Sequence, residues 1–198
     1  IHRPHSTDIT GFMSILHGDV RFYNNVFVQP EVRPALATLC APLQGPNCPE
    51  KQWDDFNLTA GTVPYSGYMT EETWRGYFEG YCGEGAESGR DKYYMPLPVW
   101  SAGNVYFNGA QPCDIEENPL VDTQHQITLT LTEEEGGVHL LTDFTAYLPE
   151  VPMISSDTLG LAFEPEQRFE TPEGADILFD TDLYGRKRET VVPAPFLR

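Results

Sequence analysis

The sequence predicts an all-β fold, with stacked coils of a parallel β-helix and a separate β-hairpin. Three observations point there. A strand–Asn–strand segment occurs twice, as Asn25-Val26-Phe27-Val28 and as Asn104-Val105-Tyr106-Phe107. The 198 residues include 17 Pro, 17 Gly and 12% aromatics, a composition suited to strands and ordered loops rather than helix bundles. Ile127, Leu129 and Leu131 alternate with Thr128, Thr130 and Thr132, the period of a strand.

Residues 1–31 read as β-helix coils. Ile9 to Leu16 and Val20 to Val28 are strand-length apolar runs on either side of His17-Gly18-Asp19, a turn signal. Asn24 and Asn25 interrupt the second run. Asn is disfavoured inside strands but tolerates left-handed geometry, so this pair marks a corner. Repeated at Asn104, such corners stack in a ladder, and each coil buries its apolar face against the next.

Residues 32–98 read as a loop-rich ordered insertion, with Pro42, Pro46 and Pro49 near its start and Trp53 beyond them. Within it, Thr70-Glu71-Glu72-Thr73-Trp74 starts a helix with Thr70 as N-cap. Residues 99–122 form the next coil. Residues 123–198 supply the hairpin, turned by Glu133 to Gly137 with an acidic, solvated tip, and then a C-terminal cap. In the cap, Asp180-Thr181-Asp182 is followed by Gly185-Arg186-Lys187-Arg188. This resembles part of a calcium loop, but it lacks the third carboxylate and the distant Glu. A turn closed by an Asp–Arg pair is the expectation, with a calcium-stabilised acidic protein as the alternative.

Lys and Arg number 12 against 30 Asp and Glu, a net charge of −18. Nucleic acid and anionic membranes are therefore not expected partners. No window approaches 18 consecutive apolar residues, so no membrane span is expected. The chain as given carries no charged-then-apolar leader, and a cytoplasmic location is expected. Cys40, Cys48, Cys82 and Cys113 contain no C-x-x-C pair, so they form no zinc ribbon; disulfides and free thiols both remain open. There is no H-E-x-x-H, no G-x-S-x-G and no phosphate-cradling loop. No cofactor and no metal are expected.

Carboxylates, Trp and His are the residues open to a sugar-binding or a structural reading. Paired carboxylates serve glycoside hydrolysis. Asp19 stands out because Gly18 precedes it and Arg21 shares its strand face. The expectation is a structural ion pair. Trp53, Trp74 and Trp100 either stack on sugar rings or fill space. His2 and His5, beside Pro4 and Arg3 with no apolar face to bury them, are either simply exposed or hydrogen-bonded to a sugar or anion.

Pro4-His5-Ser6-Thr7, then Gly11-Phe12, then Gly18-Asp19-Val20-Arg21-Phe22-Tyr23-Asn24-Asn25-Val26-Phe27 resemble glycoside hydrolase family 120, the β-xylosidases. Asn104-x-Tyr106-Phe107-Asn108-Gly109-Ala110, Asn118-x-Leu120-Val121, Pro172-x-Gly174 and Asp180-Thr181-Asp182 are similar to later stretches of the same family. The resemblance implies a right-handed parallel β-helix and retaining hydrolysis of xylo-oligosaccharides. It implies that the matching region is a C-terminal portion. The family's nucleophilic Asp and acid/base Glu then lie upstream, and no residue here takes either role. It also implies that His5 and His2 are substrate-binding residues. The expected partners are the xylo-oligosaccharide and the N-terminal portion of the same enzyme or a nicked partner chain. Self-association into an oligomer is expected as well. The alternative reading is a non-catalytic carbohydrate-binding or interaction β-module.

Overall fold

A computed structural model of the chain describes residues 18–30, 64–78 and 96–194. The described residues are mostly sheet with short helices. Strands β1 (Val20–Tyr23), β3 (Val99–Ala102) and β5 (Glu116–Glu117) form one parallel sheet, in that order. Strands β2 (Val26–Val28), β4 (Val105–Phe107) and β6 (Leu120–Val121) form a second, also parallel. Tyr23 lies opposite Ala102 and Val26 opposite Val105. The two Asn corners therefore stack, with Asn25 level with Asn104. Residues 116–121 are a third, shorter strand–corner–strand unit that the sequence analysis did not separate from the second.

The corner has a conformational cause. Asn24, Gly103 and Asn118 occupy the same rung and have φ of 55°, 66° and 51°. Asn and Gly enter this left-handed region at least cost. Each places a sharp bend between the two sheets.

Behind each bend lies a polar ladder. Asn104 is fully buried. Its Oδ1 accepts from Asn25 N at 2.8 Å and from Asn25 Nδ2 at 2.9 Å. Its Nδ2 donates to Phe22 O and to Glu116 Oε2, both at 2.8 Å. Pro119 occupies the next rung and cannot continue the ladder. The Glu116 carboxylate ends it, accepting from Asn104 N at 3.0 Å, the Ser101 hydroxyl and the Tyr106 hydroxyl at 3.1 Å. Burial and the nearby Glu116 charge push the Tyr106 phenol above its ordinary pKa, so it stays protonated and donating.

The other face of the second sheet meets the C-terminal segment. Val105 and Phe107 pack with Ile127, Phe144, Leu148 and Val192, with Val26 and Val28 alongside. Each such side chain contributes about 1.5–3 kcal/mol on full burial. Backbone stitches hold the tail: Ala194 N donates to Asn24 O at 3.0 Å, and Asn24 Nδ2 donates to Pro152 O at 2.9 Å. Helix α1 (Glu71–Phe78) begins where expected, with Thr73 N donating to Thr70 Oγ1 at 3.1 Å. Val99 N donates to Met69 O, which ties the approach to this helix to β3. Helix α2 (Ser156–Leu159) is one turn, capped by Ser155.

The hairpin is β7 (Leu129–Glu134) and β8 (Gly137–Thr142), antiparallel, with Leu131 opposite Leu140. Its turn is tighter than expected. Only Glu135 and Gly136 lie between the strands, because Gly136 and Gly137, with φ of 126° and 149°, accept conformations other residues resist. No helix among the described residues is long and apolar enough to cross a membrane.

Candidate functional site

The outward face of the first sheet carries Arg21 and Tyr23 on β1, Trp100 and Ala102 on β3, and Glu117 on β5. Alternation along the strands fixes this set. Arg21 is saturated. Its guanidinium donates to Asp19 Oδ1 at 2.6 Å, Leu159 O at 2.7 Å and Leu161 O at 2.7 Å. It also lies 4.2 Å from the Trp100 ring centroid and 4.6 Å from that of Phe169. Asp19 Oδ2 accepts from Phe163 N at 3.1 Å. The Asp19–Arg21 pair thus clamps the 159–163 loop onto the sheet, as a structural ion pair.

Beside this clamp, two cavities of about 330 and 340 Å³ meet on Tyr23, Glu71 and Trp100. The first adds Glu72 and Glu117; the second adds Arg75 and Phe163. Arg75 pairs with Glu71 at 2.8 Å, and Trp74 packs edge-on against Phe163 at 4.8 Å between centroids. Burial raises the Tyr23 pKa and Glu117 adds to this, against an opposing effect of Arg21. The phenol is therefore a neutral donor at physiological pH. Aromatic faces, carboxylate acceptors and a phenol donor in one groove match the alternating apolar and hydroxyl surfaces of a sugar ring.

Another cavity, of about 370 Å³, lies on the inward face among Phe22, Phe27, Tyr65, Tyr68 and Tyr106. It is a poorer fit to a polyol. Its Ser101 and Tyr106 hydroxyls are already committed to Glu116.

Among the sequence candidates, Asp19, Arg21 and Trp100 come together here, and Trp74 joins them through Phe163. His2, His5 and Trp53 lie outside the described residues, as do Cys40, Cys48 and Cys82. Cys113 is a half-buried free thiol. Asp182 accepts from Arg186 and Asp180 from Lys187, so this turn is closed by ion pairs, the first at 2.6 Å. No group of three or more His, Cys, Asp or Glu among the described residues is arranged to hold a metal ion. Tyr23, Glu71 and Glu117 were not singled out from the sequence. Glu117 is legible only once 116–121 is recognised as a third strand–corner–strand unit. Glu71 sits in the insertion, where nothing local announces its neighbours.

No family model matches the chain, and no curated protein matches it. Its fold is similar to part of a solved structure, XylC in complex with xylose. The TM-score is 0.64 and the identity 23%, covering 98% of this chain and 27% of XylC. The chain therefore shares its fold with a segment of XylC and spans about a quarter of that protein's length.

Proposed function

We propose that this chain is the C-terminal portion of a retaining β-xylosidase of the family 120 type, acting on xylo-oligosaccharides. Its stacked strands are the last coils of a right-handed parallel β-helix, and its groove is one wall of the sugar site. The observation that carries this reading is the fold likeness to part of XylC along nearly the whole chain. Two features support it. The Tyr23–Trp100–Glu117 groove has the chemistry of a sugar wall. The outer edges of β1 and β2 leave Val20, Phe22 and Phe27 36–39% exposed, a surface suited to a preceding coil. In this reading, His5 and His2 extend the wall, since imidazole both donates to and accepts from sugar hydroxyls. The nucleophile and acid/base are supplied by upstream coils.

Calorimetric titration of the chain with xylobiose, paired with a chromogenic xyloside assay, tests the proposal. The expected result is weak binding and no turnover. Trp100→Ala should weaken binding at least tenfold, about 1.4 kcal/mol, and His5→Ala should weaken it less. Turnover by this chain alone would overturn the division of labour and make Asp19 and the groove glutamates catalytic candidates. Binding of xylobiose unaffected by Trp100→Ala would remove the groove from the site. A chain that binds sugar, but shows no activity even when joined to upstream coils, would be a binding module.

A further inference from the structure

Arg188 is a buried cation without a carboxylate, and we propose that it holds a small organic monocarboxylate in the cavity it lines. The run Arg186-Lys187-Arg188 divides sharply. Arg186 and Lys187 face solvent and pair with Asp182 and Asp180. Arg188 is only 9% exposed. Every other Lys and Arg among the described residues has a carboxylate partner, and Arg188 has none. The chain holds 30 Asp and Glu, so the lack is not one of supply.

The backbone accounts for part of this guanidinium. Its Nη2 donates to Phe179 O at 2.8 Å, and its Nη1 to Ala194 O at 3.2 Å and Val192 O at 3.5 Å. These carbonyls fix the plane of the group and stitch the tail to residue 179. They supply dipoles and no charge, so the cation stays unneutralised. Nε is buried and has no hydrogen-bond partner. An uncompensated buried cation and an unmade buried hydrogen bond are both costly, and folded chains keep few of either. Nη2 has a second hydrogen to give. Nε and Nη2 share one edge of the guanidinium, which suits the two oxygens of a carboxylate.

A cavity of about 370 Å³ lies here, between β1 and the C-terminal segment. Arg188, Thr181 and Tyr23 line it on the polar side, and Ile154, Phe179 and Val191 on the apolar side. Its volume is that of a small-molecule pocket. Tyr23 and Arg21 also line the sugar groove, so the two sites adjoin, but this ligand goes beyond the sugar reading. Arg21 adds no free charge, because Asp19 neutralises it. The site therefore offers one positive charge, hydroxyls and an apolar wall. A carboxylate on an apolar body matches that set. Phosphate and sulfate carry more charge and no apolar surface, and match it poorly. The net charge of −18 holds anions away at long range, so an affinity of about millimolar is expected.

Ligand-observed NMR titration of the full chain with benzoate, beside its neutral isostere benzamide and inorganic phosphate, tests the site. Benzoate should bind, with benzamide and phosphate at least tenfold weaker. Arg188→Lys keeps the charge but loses the fork, and should weaken benzoate at least tenfold. Thr181→Trp, at an exposed position on the cavity wall, should also weaken benzoate at least tenfold while circular dichroism stays unchanged. That variant decides the matter if Arg188→Lys does not fold. Benzoate that fails to bind, or binds no better than benzamide, would overturn the proposal. So would unchanged benzoate binding by either variant in its folded form. Phosphate binding more tightly than benzoate would overturn the carboxylate as the ligand.

Discussion

The stacked strands and the hairpin are built from similar residues, yet opposite forces hold them. In the stacked body the strands are two to four residues long, and among the described residues no turn joins strands that pair. Their register comes from the buried Asn104 ladder, the left-handed corners and the packed face of β4. In the hairpin the strands are six residues long, and a two-residue turn sets the register locally. Leu129, Leu131, Val138, Leu140 and Leu141 of the hairpin are all exposed. Polar groups therefore matter most where they are hidden, and apolar groups are least used where they are most regular.

Asn104→Ala should break the body hardest. It strands the Asn25 amide, the Phe22 carbonyl and part of the Glu116 donor shell inside the fold. Each buried group left unpaired costs about 1–3 kcal/mol, so a loss of at least about 3 kcal/mol in urea unfolding is expected. A loss under about 1 kcal/mol would mean that the ladder does not set the register.

Gly18→Ala comes next. Gly18 has φ of 139°, and an added Cβ would lie 2.1 Å from the Leu97 carbonyl oxygen. The backbone must move, and a loss of about 2 kcal/mol is expected. A variant as stable as the parent would show that β1 does not depend on its close contact with residue 97.

Tyr106→Phe sharpens the comparison through pH. The folded phenol has its pKa raised by burial and by Glu116. A raised folded pKa adds stability that is fully present below the unfolded value, about 10, and is lost as pH rises above it. The substitution should cost about 1 kcal/mol at neutral pH. It should also flatten the fall of stability above about pH 10, followed by denaturant melts across that range. An unchanged alkaline limb would take Tyr106 out of the ladder.

Leu131→Asp should have the smallest effect on the folded chain itself. The site is solvated, so a change within about 0.5 kcal/mol is expected, measured in dilute solution. A larger loss would show that this hairpin face packs against its own chain.

The hairpin and the paired Asn corners were legible in the sequence, because each is written in neighbouring residues. Ile127 to Thr132 alternates, and Asn25 and Asn104 begin similar strands. The third stacked unit was not separated. Its strands are two residues long, and Pro119 stands where the ladder Asn would be. The groove was half legible. Asp19, in a left-handed conformation just ahead of β1, and Arg21 are two residues apart, but Arg21's carbonyl acceptors lie 138 and 140 residues away.

The sequence by itself determined the β character, the left-handed corners, the hairpin and the acidic surface. These follow from backbone preferences and charges that each residue carries wherever it is placed. Tertiary structure decided the parallel pairing across 79 residues between Asn25 and Asn104, and which strand faces look inward. It also paired Asp182 with Arg186 and Asp180 with Lys187, covering the carboxylates while the cations face solvent. Those outcomes depend on which distant groups become buried together, and burial belongs to the folded chain rather than to any stretch of it.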